Sequence, residues 1–112
     1  MLKGQIYYVN LDGAKGSEQG GVRPCIVVQN NKGNKYSPTT QMAPITSRMT
    51  KAKLPTHIKI GSECGLAVDS IILLEQIRTV DRERIIDYVG KVDNKTMDKI
   101  NKGIAISFGL EV

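Results

Sequence analysis

Aromatic side chains are scarce in this chain: of its 112 residues one is phenylalanine, four are tyrosine and none is tryptophan. Binding that relies on stacking a ligand's flat rings against aromatic side chains should therefore contribute little. Histidine is represented by His57 alone. One imidazole and two distant cysteines, Cys25 and Cys64, do not make a zinc site. They also leave any Ser-His-Asp or Cys-His arrangement with a single base and no nucleophile elbow. Cys25 lies in an apolar run and reads as a small buried hydrophobe. His57 sits on the alternating stretch 56–60, which sends its ring to solvent opposite Ile58 and Ile60. No phosphate-cradling glycine motif is present, since Gly13, Gly16, Gly20 and Gly21 do not have the required spacings. The acidic residues are scattered without metal-binding spacing. No apolar run approaches the roughly 20 residues that span a bilayer. The N-terminus has no apolar signal core, so the expected address is cytoplasmic, without disulfides. The expected chemistry needs no metal and no nucleotide cofactor.

Positive charge is plentiful. Sixteen Lys and Arg against eleven Asp and Glu leave a net charge of +5, which favours nucleic acid, an acidic membrane surface or an acidic protein as partner. Eleven glycines and four prolines imply short elements joined by turns, and the length suits one domain over residues 1–112. Strands are expected at 5–11, 23–29, 40–46, 56–60 and, as one longer strand, 70–79. A mobile loop is expected at 12–21 and a turn at 30–34. The stretch 85–89 reads as a helical turn, a last strand or both. Met97, Ile100, Ile104 and Phe108 recur at helical spacing, with Asp93 or Asn94 to cap the start and Gly109 to end it. The fold class is mainly β: a small curled antiparallel sheet or barrel with a C-terminal helix.

Arg23 stands where the polar loop SEQGG passes into the apolar strand RPCIVVQ. Pro24 holds it extended, and Gly20 and Gly21 let the loop fold over it. A stiff guanidinium beside a mobile loop suits anion capture, and its planar fork matches two phosphate oxygens. RNA is a phosphodiester whose cleavage needs no metal in principle, because the 2′-OH is its own nucleophile. The protein must then align that hydroxyl and stabilise the charge that develops on phosphorus.

Four ordered blocks carry a resemblance: GSEQGGVRPCIVVQN (16–30) with NKYSPT (34–39), IT (45–46), KAKLPTH (51–57) and SIILLEQIRT (70–79). Together they resemble the MazF/PemK family of toxin endoribonucleases, most nearly its Gram-positive members. The resemblance implies an SH3-like barrel of the plasmid-toxin type and a homodimer. It implies metal-independent, sequence-specific cleavage of single-stranded mRNA at a UACAU-like site, leaving 2′,3′-cyclic phosphate and 5′-OH ends. It further implies a cognate antitoxin of the MazE type, whose acidic disordered tail competes for the basic groove.

The same resemblance assigns catalysis to Arg23 and Thr46, and RNA contact to Ser17, Glu18, Gln19, Leu54, Glu75 and Gln76. Arg48, Lys51 and Lys53 form a basic connection that suits a phosphate-tracking rim. Gln76 and Arg78, two apart on an expected strand, face one side. Arginine is a poor base near neutrality, so Arg23 fits charge stabilisation and proton donation to the leaving oxygen, with Thr46 holding a phosphate oxygen. Glu18, a water or the arginine itself remain open as the base. Pro44, two residues before Thr46, points to an edge or bulge there. Two other functions stay open: a toxin of the same fold that inhibits DNA gyrase, and a barrel that binds RNA without cutting it.

Overall fold

The computed structural model describes residues 1–48 and 54–110. Its seven strands are β1 (Gln5–Asn10), β2 (Val22–Val27), β3 (Thr39–Thr46), β4 (His57–Ile60), β5 (Ser70–Leu73), β6 (Arg78–Asp81) and β7 (Ile85–Lys91). All their pairings are antiparallel, in the order β4-β5-β3-β2-β1-β7, with β6 laid on the first half of β3. Among the described residues β4 and β7 do not pair, so the curled sheet stays open rather than closing into a hydrogen-bonded barrel. Helices α1 (Asn31–Tyr36) and α2 (Asn94–Ser107) complete the secondary structure with three short 3-10 turns.

Alternation along the strands gives the sheet two apolar faces. Ile6, Ile26, Ala43, Ile45 and Ile72 share one, covered by Ile100 of α2. Val9, Leu11, Cys25, Val27, Met42 and Val80 share the other. Register keeps the two sets apart: Ile26 lies opposite Ile6 and Ala43, whereas Cys25 lies opposite Pro44 and Val27 opposite Met42. A slip of one residue would exchange the faces.

Helix α2 starts where Asp93 accepts a hydrogen bond from the Thr96 N–H at 2.8 Å. Met97, Ile100 and Ile104 pack on the core at their helical spacing, but Phe108 is the C-cap residue and is exposed. Gly109, at φ +70°, ends the helix, and Leu110 N–H donates to the Ala105 carbonyl at 2.8 Å. Gly103 faces the Leu74 side chain and leaves no room for a Cβ there, while Ser107 Oγ donates to the Leu74 carbonyl at 3.0 Å. The helix thereby braces the 3-10 turn Leu74–Gln76, which the site uses.

That turn corrects one expectation. The stretch 70–79 is not one strand but β5, the turn Leu74–Gln76 and β6, on different parts of β3. Leu73 ends β5 paired with His57, and the next residue, buried Leu74, begins the turn under α2. The turn sends Leu74 inward under α2 and leaves Glu75 and Gln76 outward. The expected turn at 30–34 is instead the start of α1, with the Asn30 side chain accepting from Gly33 N–H at 2.8 Å. Buried Asn34 holds this helix to the strands, donating to the Gln29 carbonyl at 2.9 Å and accepting from Thr40 Oγ1 at 2.7 Å. Pro44 is neither at an edge nor at a bulge: it lies in central β3, paired with Cys25. It falls between the residues of β3 joined to β6 (39–42) and to β5 (45–46), so its missing N–H breaks no ladder on that side. The stretch 85–89 is strand, entered through the 3-10 turn Arg82–Arg84.

Candidate active site

Arg23 and Thr46 are brought together by strand register. The β2–β3 pairing runs to Cys25 with Pro44; carried two residues further, that register sets Arg23 towards Thr46, and both line one cavity. Both therefore lie at the mouth of the core face that holds Cys25 and Met42. Arg23 Nε donates to the Gly20 carbonyl at 2.7 Å, which orients the guanidinium against the loop. Among the described residues its two terminal nitrogens have no hydrogen-bond partner, so the fork stays available to an anion. Thr46 is buried, and its Oγ1 accepts from the Arg48 N–H at 3.1 Å. That bond occupies a lone pair and leaves the hydroxyl proton to donate. The two residues line a cavity of about 360 Å³ with Ser17, Glu18, Gln19 and Arg48.

A second cavity, of about 450 Å³, shares Glu18 and Gln19 and continues past Pro44 to Glu75, Gln76 and Arg78. The two make one long cleft with the 16–20 loop as its common wall. Of the expected site residues, the cleft collects Arg23, Thr46, Ser17, Glu18, Gln19, Arg48, Glu75, Gln76 and Arg78. Leu54 is exposed but lines neither cavity. Lys51 and Lys53 lie outside the described residues. Gln76 and Arg78 do reach the same cavity, but not as strand neighbours: Gln76 stands on the 3-10 turn and Arg78 opens β6.

His57 does not face solvent as expected. Its side chain is one-tenth exposed, and Nε2 meets Glu75 Oε2 at 2.8 Å. Nδ1 accepts from the Leu54 N–H at 3.4 Å, so in the neutral ring Nε2 carries the proton and donates to the carboxylate. Thr56 Oγ1 donates to the other carboxylate oxygen at 3.0 Å. The pairing of His57 with Leu73 places it beside the turn that follows β5, eighteen residues on in sequence. No local spacing could have signalled this. Ser47 and Thr79 also stand on the cleft walls, and neither was singled out as a site residue, although Thr79 closes the block 70–79.

Burial pushes the Glu75 carboxyl up, but hydrogen bonds from its own backbone N–H, His57 and Thr56, with the His57 charge, outweigh it and hold it below the ordinary 4.5. A carboxyl lowered on folding stabilises above its unfolded value and loses that contribution as pH falls through the folded one. Glu75→Gln is thus expected to melt at a lower temperature than the parent at neutral pH. The gap should close in acid, below the ordinary glutamate range, in melts recorded across pH. Burial pushes the Cys25 thiol up to about 12, against the opposing pull of Arg23 and Arg78, so it is not a nucleophile at neutral pH.

Residues 2–108 match the family described as PemK-like, MazF-like toxin of type II toxin-antitoxin system. The chain is 48% identical over 109 residues to endoribonuclease EndoA of Bacillus subtilis, covering 96% of this chain and 94% of that protein. It is 49% identical over 111 residues to endoribonuclease MazF of Staphylococcus saprophyticus, covering 98% and 92%. Among solved structures, an endoribonuclease in complex with its cognate antitoxin from a mycobacterial species superposes with a TM-score of 0.83 at 28% identity, over 100% of this chain and 98% of that one. MazF from Deinococcus radiodurans shares the fold, with a TM-score of 0.84 at 22% identity over 98% and 97% of the two chains.

Proposed function

The chain belongs to the family of PemK-like, MazF-like toxins of type II toxin-antitoxin systems, and we propose that, as an endoribonuclease of that family, it cuts single-stranded mRNA at a short specific sequence. The observation that carries this is the meeting of Arg23 and Thr46, from two adjacent strands, in a cleft walled by a polar loop. In the reaction the 2′-oxygen attacks phosphorus while the bond to the 5′-oxygen breaks. Arg23 spans the phosphate oxygens as negative charge builds on them and supplies the leaving oxygen with its proton. Thr46 donates its hydroxyl to one of the two non-bridging phosphate oxygens, sharing their charge with Arg23. Glu18 lines the same cavity and is a carboxylate available there to take the 2′-OH proton. The products are a 2′,3′-cyclic phosphate and a 5′-OH end, and no step requires a metal ion.

Base choice falls to the second cavity, where Gln19 and Arg78 present hydrogen-bonding groups. A UACAU-like sequence is the expected site. Arg48 at the cavity rim tracks the backbone; Lys51 and Lys53, outside the described residues, are further proposed RNA contacts. The chain works as one domain, 1–112, in a homodimer. A MazE-like antitoxin with an acidic tail restrains it by occupying the same basic cleft. No helix among the described residues is long and apolar enough to cross a membrane; the cytoplasm, where mRNA is found, is the proposed location.

The test is incubation of the purified protein with a long single-stranded RNA in EDTA, mapping each cut and its end chemistry. Cuts recurring at one short sequence, with cyclic-phosphate and 5′-OH ends, are expected. Intact RNA beside a folded protein would overturn the reading.

A further inference from the structure

The 16–20 loop carries Glu18 and Gln19 into both cavities, yet little holds it there. Within the loop, Glu18 N–H donates to the Lys15 carbonyl at 3.1 Å and Lys15 N–H donates to Glu18 Oε1 at 3.0 Å. These bonds shape the loop without attaching it to the sheet. Gly20, at the end of the loop, is tied to β2 by the Arg23 Nε at 2.7 Å; for residues 15–19 the attachment comes from a side chain 57 residues from Gln19, where Gln76 Oε1 accepts from the Gln19 N–H at 2.9 Å. The other end of that amide, Nε2, donates to the Ser17 carbonyl at 3.3 Å. One planar amide thus bonds the loop backbone on both sides of Glu18. Among the described residues no other side chain outside the loop bonds residues 15–19.

Gln76 is able to do this because its own turn is fixed. Leu74 is fully buried under α2, its carbonyl takes the Ser107 hydroxyl, and its N–H donates to the Thr56 carbonyl at 3.1 Å. Neighbouring Glu75 is held by Thr56 and His57. The loop is therefore anchored to a rigid post on the wall of the second cavity.

We infer that Gln76 is a positioning residue: its side-chain amide latches the backbone of Ser17 and Gln19, and so sets where Glu18 and Gln19 stand in the cleft. It acts on the reaction through the loop. The latch needs an acceptor and a donor on one short planar group, which only an amide of this length provides. Glutamate keeps the acceptor for Gln19 but sets a carboxylate against the Ser17 carbonyl. The catalytic consequence rests on the endoribonuclease reading; the latch in the free protein does not.

Two measurements on the parent, Gln76→Ala and Gln76→Glu test the inference. The first is amide hydrogen exchange of Gln19 in the RNA-free protein, with melting temperature as the folding control. Loss of one hydrogen bond should speed Gln19 exchange about fivefold or more in Gln76→Ala, and less in Gln76→Glu. The second is single-turnover cleavage over a range of RNA concentrations. The saturating rate should fall roughly 10- to 100-fold in Gln76→Ala, more than KM rises, because a displaced loop misaligns the reacting groups. Unchanged Gln19 exchange overturns the latch. Faster exchange with unchanged cleavage overturns its positioning role, as does a rise in KM or a shifted cut sequence at the parental saturating rate, the mark of a residue that only reads a base. Should the parent cut no RNA, the functional reading fails, and Gln19 exchange still decides the latch.

Discussion

Replacing Arg23 with alanine is expected to lower the rate of RNA cleavage by on the order of 10³-fold while leaving the fold intact, the scale seen when a donor to a developing oxyanion is removed. The reasoning starts from the guanidinium's surroundings. Its Nε is committed to the Gly20 carbonyl, and the terminal nitrogens open on the cavity that Thr46 also lines. Removing the side chain deletes one loop contact and leaves buried Cys25 and Val27 packed beneath. RNA binding should weaken too, with the slope of log affinity on log salt falling by about one phosphate contact. Arg23→Lys separates charge from geometry: an ammonium restores the salt slope, but not the fork or the bond to Gly20, so cleavage should stay far below the parent. Single-turnover rates and binding at several salt concentrations check both statements. Cleavage by Arg23→Ala within about threefold of the parent would remove Arg23 from a transition-state role of this size.

The second large effect is on stability. Gly90 of β7 passes so close to the turn Ser62–Cys64 that a Cβ there would overlap the Cys64 carbonyl oxygen. From the other side Gly65, at φ +92°, meets the Val89 carbonyl in the same way. The opposing atoms are backbone, and Cys64 and Leu66 on either side are buried in the larger core, so neither strand nor turn can retreat cheaply. Gly90→Ala should cost about 3 kcal/mol or more. For a domain of this size that corresponds to a fall in melting temperature of roughly 10 to 20 °C. A melting temperature within a few degrees of the parent would show that the two backbones separate easily. Because Gly90 pairs with Ile6, three residues along β1 from Val9, the partner of Arg23, and lines neither cavity of the site, the single-turnover rate of the folded variant should hold at low temperature.

What the sequence determined by itself is local and periodic. The strands around Ile6, Ile26 and Ile45 follow from runs of β-branched and apolar residues bounded by turn residues, and α2 follows from Met97, Ile100 and Ile104 with Asp93 as cap. The rigid Arg23–Pro24 joint and the glycine-rich loop before it were also legible, because each depends on one or two residues' own conformational limits. Tertiary structure decided whatever depends on partners distant in the chain. The run 70–79 contains no breaker, and only the packing of Leu74 under α2 turns it out of the strand. His57 alternates like a surface residue, yet the pairing of β4 with β5 sets it against Glu75. Pro44 keeps its central place because β3 changes partners beside it. Gln76 carried no sign that its amide would be spent on a loop 57 residues away. Periodicity reports which face a residue takes, because each residue settles that with its own neighbours. Which groups then meet across the cleft depends on strand register and close packing, and both are settled only when the whole sheet is assembled.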